Sequence, residues 1–370
     1  MTKPSMMLIG QAGMPNYPVS RPLGWFEFLP AWCFYTPVVV QSIGLGLYYR
    51  SLTLPLIANP GISLSGMVGE AKSEVFAQAG DTAQRYIAAY WRWTRPNAIT
   101  PSIKKTLLAE LAEAGITMPL VAKPDKGCRG AGVQRIDTEK KLFAYIRTFP
   151  PDRDIIFQAL APYDAEAGVF YIRYPGEERG QIFSLGLKYL PAVIGDGKRT
   201  LAALIQHHDA ASVRGHLYHQ RHHHQLDEVI PAGVRIPLAF SGSHCRGAIF
   251  KDGAAWVTPA LTAKIDTIAK DINGFYFGRF DIKFRDIASL QQGKGLCIVE
   301  INGASSEPAH IWDSEGGYFQ AIRALLHQYR HLYHIGARLR LRGHQPPSVF
   351  ALLRAWYQER RWMKQYPGTD

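Results

Sequence analysis

Residues 278–302 read GRFDIKFRDIASLQQGKGLCIVEIN, and both ends of this stretch alternate between apolar and polar residues. Such alternation predicts two half-buried β-strands, and the turn-forming residues between them predict that the strands fold back as a long hairpin. Arg279 and Asp281 then share one face of the first strand. The pairing sets Asp281 beside Glu300 and Asn302 of the second strand.

Asp281, Glu300 and Asn302 supply the hard oxygen ligands that Mg²⁺ prefers, and Mg²⁺ usually completes its shell with water and substrate phosphate. A carboxylate on a half-exposed strand can also be a surface charge, with Arg279 as its ion-pair partner. The joint pattern favours a magnesium site, into which Arg279 also points. Strict alternation further predicts one shared side of the second strand for Leu296, Ile298, Glu300 and Asn302, opposite Cys297, Val299 and Ile301.

The composition limits the class of protein. With 370 residues, 47% of them hydrophobic and 19% charged, the chain has enough core for one large domain or two to three small ones. The formal net charge of +12 indicates an anionic partner, such as a nucleotide, an acidic lipid surface or a nucleic acid. Four widely spaced cysteines predict neither a zinc knuckle nor a disulfide framework, and residues 1–18 lack the pattern of a signal peptide.

A glycine-rich loop suited to phosphate lies upstream of the hairpin. Lys123 ends a predicted strand over residues 119–123, and DKGCRGAGV follows at 125–133. Backbone N–H groups of such a loop can approach phosphate oxygens, and a nearby lysine neutralises their charge. A P-loop NTPase is excluded because the sequence contains no GxxxxGK[ST] segment.

The surrounding pattern alternates between strands and helices, which predicts an α+β fold built from α/β subdomains. One predicted helix, from about Ile103 to Ala114, carries Lys104 and Lys105, and another is predicted over Asp81–Trp93. Further predicted strands span 132–136, 155–159, 168–174 and 181–188, and further predicted helices span 139–148, 200–207 and 317–332. Seven histidines between residues 207 and 224 show no metal-binding spacing with a carboxylate, which favours a solvated segment.

The order of these motifs resembles the ATP-grasp superfamily and is most similar to its carboxylate–amine ligases, which include D-alanine–D-alanine ligases and cyanophycin synthetases. GRFD followed by IVEIN is the closest match. VIGDGKRTLAALI at 193–205 resembles the GDGK-T segment of the cyanophycin synthetase branch. The resemblance covers about residues 101–313.

This resemblance implies an ATP-grasp fold of two subdomains that close on ATP, with Mg²⁺ or Mn²⁺ as cofactor. It implies three magnesium ligands, Asp281, Glu300 and Asn302, and a catalytic arginine, Arg279, which stabilises the transferring phosphoryl group and the tetrahedral intermediate. It implies a nucleotide-binding set in which Gln158 replaces the acidic residue usual at the adenine edge and Glu166 takes the ribose hydroxyls. The full set is Lys104, Lys105, Lys123, Gly127, Arg129, Gly130, Gly132, Gln158, Ala159, Leu160 and Glu166.

The activity that this resemblance implies is ATP-dependent joining of a carboxylate to an amine through an acyl phosphate. Two alternatives remain open: an ATP-grasp kinase that phosphorylates a hydroxyl, and a non-catalytic, basic, membrane-associated protein. Expected partners are small-molecule or amphipathic substrates and an anionic membrane surface, with no nucleic acid; a homodimer is compatible with the sequence. The expected location is the cytoplasm, including the inner face of a membrane.

Both ends of the chain lie outside the resemblance. We predict an atypical N-terminal region at 1–100, an ATP-grasp domain at 101–335 and a basic amphipathic tail at 336–370. The uncharged, aromatic stretch Phe28–Tyr49 is compatible equally with a buried core element and with a membrane-contacting segment. For the tail, packing on the domain is slightly favoured over lying on an anionic membrane.

Overall fold

The computed structural model describes residues 6–8, 11–19, 23–127, 130–208, 210–242 and 247–369. Arg129, which the sequence assigns to the phosphate loop, therefore lies outside the described residues. The strands are β1 Met6–Leu8, β2 Tyr17–Val19, β3 Tyr90–Thr94, β4 Leu120–Pro124, β5 Gln134–Ile136, β6 Asp154–Ala159, β7 Ala165–Ile172, β8 Gln181–Tyr189, β9 Ala192–Ile194, β10 Arg235–Pro237, β11 Ile249–Asp252, β12 Phe277–Phe284 and β13 Leu296–Asn302.

The α-helices alternate with these strands, in agreement with the predicted α+β class. They are α1 Ala31–Tyr48, α2 Lys72–Ala77, α3 Asp81–Gln84, α4 Pro101–Glu113, α5 Glu139–Thr148, α6 Leu201–His207, α7 Gly215–Arg221, α8 Pro259–Lys270, α9 Ile287–Gln291, α10 Gly317–Arg340 and α11 Val349–Met363. A 3₁₀ helix at Trp25–Phe28 precedes α1. Among the described residues, no helix combines the length and the apolar character needed to cross a bilayer.

Two antiparallel sheets form the body of the molecule. The larger has the strand order β11-β8-β7-β12-β13, and the smaller has the order β3-β6-β4-β5. The apolar faces of β12 and β7 pack with α8 in one core, whereas α4 and α5 pack on the smaller sheet in another. Because Phe280, Ile282 and Phe284 point into the first core, Arg279 and Asp281 point away from it, as the alternation predicts.

The hairpin β12–β13 differs from the sequence prediction in one respect. Its register pairs Asp281 with Glu300 but Ile282 with Ile298, so a β-bulge leaves Val299 without a partner. A bulge shifts the faces of the strand beyond it. The predicted shared side for Ile298 and Glu300 is therefore wrong: Leu296 and Ile298 enter the core, whereas Glu300 and Asn302 share the face of Asp281. The connection contains the short helix α9, whose N-terminus is capped by Asp286.

The N-terminal region is integrated with the rest of the chain. The predicted helix over Asp81–Trp93 is wrong, since α3 ends at Gln84 and the aromatic residues that follow form β3, which pairs with β6. Helix α1 packs along α10, where Phe34 and Val38 join a core with Ile322 and Leu325. This face of α1 matches the core interpretation of Phe28–Tyr49, and the opposite face is exposed.

The C-terminal region also departs from the predicted boundary at residue 336, because α10 continues to Arg340. Helix α11 exposes most of its apolar residues, but the segment after it packs against the smaller sheet. The Tyr366 ring stacks on Phe149, with ring centroids 5.4 Å apart. This contact fits the interpretation in which the tail packs on the domain.

Candidate functional site

A cavity of about 1250 Å³ lies between the two sheets. One wall comes from β4, the glycine-rich loop and the end of β6. The opposite wall comes from β7, β8 and the hairpin β12–β13. The residues that line it include most of the predicted site: Lys123, Gly127, Gly130, Gln158, Ala159, Leu160, Glu166, Arg279, Asp281, Glu300 and Asn302.

Asp281 is the centre of a buried ion-pair network. Arg279 donates from Nε to Asp281 Oδ1 (2.8 Å) and from Nη2 to Oδ2 (3.1 Å), and Lys188 Nζ lies 2.9 Å from Oδ1. Burial disfavours the ionised carboxyl, but these two cations outweigh it and hold the pKa of Asp281 well below its usual range. The facing residue on β7 is Gly168, where a Cβ atom would lie 2.9 Å from Arg279 Cδ. Because Gly168 has no side chain, the Arg279 side chain fits in this position without a steric clash.

Glu166 extends this network along β7. Its Oε1 lies 3.1 Å from Lys188 Nζ, and its Oε2 lies 2.9 Å from Lys283 Nζ. Burial again opposes ionisation, but the charges of Lys283 and Lys188 lower the pKa of Glu166. Lys188 thus joins Glu166 to Asp281, and both carboxylates are ionised at neutral pH.

Lys123 lies on the opposite wall among neutral oxygens. Its Nζ donates to Gln158 Oε1 (2.7 Å) and to the carbonyl of Val299 (2.9 Å). Burial lowers the pKa of Lys123 to about 8, although the charge of Glu300 opposes the shift. The side-chain oxygen of Gln158 is thereby engaged by Lys123.

Lys72 and Glu70 also belong to the wall that contains Lys123. Lys72, at the start of α2, donates to the carbonyl of Gly127 (2.8 Å) and lies 3.5 Å from Glu300 Oε1. Glu70 accepts a hydrogen bond from the N–H of Gly303 (3.2 Å). Removal from water raises the pKa of Glu70 to about 8, against the opposing effects of that hydrogen bond and Lys72.

The glycine-rich loop is held by the C-terminal segment. Tyr366 donates from its hydroxyl to the carbonyl of Lys126 (2.6 Å). Thr369 Oγ1 accepts from the N–H of Gly132 (2.9 Å) and donates to the carbonyl of Gly130 (3.0 Å). Gly130 and Gly132 both have φ of +72°, a backbone conformation that favours glycine.

Two predicted lysines lie away from the cavity, and Gly132 of the glycine-rich loop does not line it. Lys104 on α4 places its Nζ 5.0 Å from the centroid of the Phe143 ring, and Lys105 is exposed on the same helix. Neither lines the cavity. The cavity instead receives positive charge from Lys72 and Lys188, which lie on its two walls and belong to other elements.

The hairpin brings two carboxylates and an amide together. Asp281 faces Glu300 in the strand register, and Asn302 Nδ2 lies 3.4 Å from Asp281 Oδ2. Across the described parts of the chain, no group of three or more His, Cys, Asp or Glu residues is placed to hold a metal. Two carboxylates and an amide, with further positions taken by water and phosphate oxygens, are the kind of ligand set that Mg²⁺ favours.

Two further lysines near the site, Lys188 and Lys283, lie on strands whose sequence pattern indicates them. Lys188 ends a strand whose other residues are mostly apolar, and a charge in such a run needs a buried partner. Lys283 alternates with Asp281 on the same strand. Lys72 and Glu70 carry no comparable pattern, because their positions depend on the path of a loop rather than on a periodic element.

No protein-family model matches the sequence, and no curated protein matches it. The structure is similar to that of a bifunctional glutathione synthetase from Pasteurella multocida, with a TM-score of 0.39 and 13% identity over 73% of this chain and 38% of that one. It is similar to a D-alanine–D-alanine ligase from Bacillus anthracis, with a TM-score of 0.39 and 12% identity over 75% of this chain and 73% of the other. D-alanine–D-alanine ligases are also among the enzymes that the sequence motifs resemble.

Proposed function

We propose that this protein is an ATP- and Mg²⁺-dependent ligase that activates a carboxylate as an acyl phosphate and joins it to an amine. The observation that carries the proposal is the arrangement of cations around the cavity. Lys72 and Lys123 face it from the loop side, and Lys188 and Arg279 face it from the larger sheet. A triphosphate between these walls meets positive charge on both sides.

The hairpin supplies the second part of the proposal. Asp281, Glu300 and Asn302 would hold Mg²⁺, which when bound neutralises charge on the phosphates and orients them. Lys123, whose carbonyl and amide partners are neutral, is available to a phosphate oxygen. The resemblance assigns the ribose hydroxyls to Glu166, whose ion pairs with Lys188 and Lys283 would keep the carboxylate in place.

The reaction has two steps. A carboxylate oxygen of the substrate attacks the γ-phosphorus, the bond to the β–γ bridging oxygen breaks, and ADP leaves. The amine nitrogen then attacks the acyl carbon, phosphate departs with the electrons of the carbon–oxygen bond, and the nitrogen releases a proton to phosphate or water. Arg279 lies beside this centre and stabilises negative charge on the oxygen of the tetrahedral intermediate.

An assay of ADP release tests the proposal. Pooled carboxylic acids are incubated with pooled amines and ATP, and the products are identified by mass spectrometry. ADP and free phosphate in equal amounts, formed only when acid and amine are both present, support the ligase. Transfer of phosphate to a hydroxyl without free phosphate supports the kinase alternative, and absence of nucleotide binding contradicts both.

A further inference from the structure

The cavity has an apolar end in addition to its charged end. Phe26 and Leu29, which lie at the 3₁₀ helix, and Phe34 on α1 line one side of this end. Phe250 on β11 and Trp312 line the other. These five residues form the apolar pocket. Glu27 also borders the cavity, but its carboxylate accepts a hydrogen bond from the N–H of Gly24 (2.6 Å).

The apolar pocket is rigidly built. Phe34 stacks on Trp312 with ring centroids 5.2 Å apart and an interplanar angle of 19°. Phe26 lies 6.1 Å from Phe34, and both rings are almost fully buried in the core that joins α1 to α10. Aromatic rings held in this way offer a preformed surface to an apolar ligand.

The pocket begins next to Arg279. Arg279 Nη1 donates to the carbonyl of Glu307 (2.8 Å), and the Glu307 carboxylate accepts a hydrogen bond from Tyr35 of α1. Tyr35 and Ala309 line the cavity at this junction. A substrate whose carboxylate reaches Arg279 therefore directs the rest of its length along Tyr35 toward Phe34 and Trp312.

We infer that the acid substrate is amphipathic, with its carboxylate near Arg279 and an alkyl or aromatic group in the apolar pocket. This inference rests on the proposed function and specifies its substrate class. The cavity volume of about 1250 Å³ supports it, because a typical ligand pocket spans roughly 300–1000 Å³ and space remains beside a nucleotide.

A chain-length series tests the substrate class on the unmodified protein. Acetate, butyrate, octanoate and dodecanoate are supplied with ATP and hydroxylamine, which traps an acyl phosphate as a hydroxamate; succinate is the polar comparison. We expect kcat/KM to rise roughly threefold to fourfold per buried methylene until the pocket is full. A flat series, or a preference for succinate, overturns the inference while leaving the ligase proposal intact.

Variants locate the effect. Leu29→Trp fills part of the pocket and is expected to lower kcat/KM for dodecanoate at least tenfold while changing that for butyrate little. Leu341→Trp adds the same ring at the end of α10, where the side chain is 88% exposed, and serves as the matched control. Binding of a fluorescent ATP analogue is measured in parallel. No hydroxamate from any acid together with no nucleotide binding defeats the ligase proposal itself, whereas equal losses for both acids in Leu29→Trp contradict the pocket assignment.

A separate observation concerns the outer face of α1. Trp32, Val39, Val40, Ile43 and Leu47 follow helical spacing on the side opposite the core, and their side chains are between 50% and 73% exposed. Helix α1 contains no charged residue. Such an uncovered apolar face is unusual for a surface in water and marks a contact site.

The neighbouring helix adds positive charge beside this face. Gln41 of α1 donates to the carbonyl of Leu326 (2.7 Å), so α10 lies directly alongside. The exposed face of α10 carries four basic residues at helical spacing: Arg323, His327, Arg330 and His334. Aromatic and aliphatic side chains flanked by arginine are suited to the interface of an anionic bilayer.

We propose that the outer face of α1 lies on an anionic lipid surface. The test is flotation with vesicles of phosphatidylglycerol and phosphatidylcholine, and with vesicles of phosphatidylcholine alone. We expect binding to the anionic vesicles that weakens with salt, and at least a tenfold loss for Ile43→Glu/Leu47→Glu. Phe350→Glu/Leu353→Glu on α11 is the matched control and is expected to bind as the unmodified protein does.

Circular dichroism melts establish that both double variants fold. Absence of vesicle binding by the unmodified protein at low salt overturns the lipid proposal. It is also overturned if the unmodified protein is a dimer by analytical ultracentrifugation and Ile43→Glu/Leu47→Glu makes it a monomer without changing flotation, since the face then contacts a second copy.

Discussion

The two walls of the cavity differ in how their charges are partnered. On the larger sheet, Asp281 is paired with Arg279 and Lys188, and its pKa is held low. On the loop side, Lys123 contacts only neutral oxygens, and burial lowers its pKa to about 8. Glu70 shows the converse shift, to about 8.

If a nucleotide binds as proposed, the larger sheet would already be ordered by its ion pairs, whereas Lys123 on the loop side would gain a partner. An ion-paired wall holds its geometry without ligand. The hydrogen-bond partners of the buried Lys123 are neutral oxygens, and a phosphate oxygen would place an anion in direct contact with it. Under the proposed function, the larger sheet would position the reacting groups, and the loop side would be the part that responds to ATP.

The strongest test removes the central anion of the paired wall. Asp281→Asn is expected to lower ligase kcat/KM by roughly 10²–10³-fold. It also leaves Arg279 and Lys188 buried beside a neutral amide, which is expected to cost about 3 kcal/mol in the free energy of unfolding. ADP release and urea denaturation measure the two effects. Asp286→Asn, on the same hairpin, keeps an N-cap and is expected to change neither; equal effects in both variants would refute the special role of Asp281.

The corresponding change on the loop side is Lys123→Ala. Loss of a charge-assisted contact to phosphate is expected to weaken ATP binding roughly 10- to 100-fold, since such bonds contribute about 1.5–3 kcal/mol. Isothermal titration measures the affinity. Lys104→Ala is the matched control and is expected to bind ATP normally, because Lys104 lies on Phe143 away from the cavity. A comparable loss in Lys104→Ala would restore the role that the resemblance implied for that lysine.

The pKa of Lys123 gives the third prediction. Above pH of about 8 the free protein carries Lys123 mostly neutral, so ATP binding is expected to weaken as pH rises and to take up a proton in that range. The effect of pH on the free energy of unfolding has the opposite sign. Between about 8 and the ordinary lysine value the unfolded chain binds more protons, so this group's contribution to stability rises with pH. Titrations in buffers of different ionisation enthalpy detect the proton; an unchanged pH profile in Lys123→Ala would assign it to another group.

The smallest expected effect concerns the hydrogen bond between the C-terminal segment and the glycine-rich loop. Tyr366→Phe keeps the ring on Phe149 but removes the hydrogen bond to Lys126. A single hydrogen bond contributes about 1 kcal/mol, so ATP binding is expected to weaken about fivefold and amide exchange at 126–132 to accelerate. Tyr357→Phe, on an exposed ring of α11, is the control. Unchanged exchange in Tyr366→Phe would show that the loop is ordered without this contact.

The sequence predicts the larger sheet's part of the site better than the loop side. Arg279, Asp281, Glu300 and Asn302 lie on two adjacent strands, so their meeting depends on local alternation and one hairpin. The bulge at Val299 escaped prediction because it depends on how Ile298 packs in the core rather than on periodicity. The predicted pairing of Glu300 with Asp281 is still found, because both residues lie on the side of the bulge away from the hairpin connection.

The loop side depends on contacts between distant parts of the chain. Lys72 reaches Gly127 only because the path from α1 to α2 returns to the cavity. Strand β3 was predicted as a helix, although the alternating aromatic residues Tyr90–Thr94 fit a strand whose partner, β6, lies far along the chain. The order of motifs identified the fold class and the paired wall, but it carried no information on which side chains would approach Lys123 across such separations.

The contact between Tyr366 and Lys126 joins residues 240 positions apart in sequence. Contacts of such long range form late in folding, because a large loop must close before they add stability. Support of the glycine-rich loop by Tyr366 therefore requires closure of a large loop of the chain. Nucleotide binding would then indicate that the chain has folded completely. Truncation after α11 would yield a protein with intact sheets and an unsupported loop.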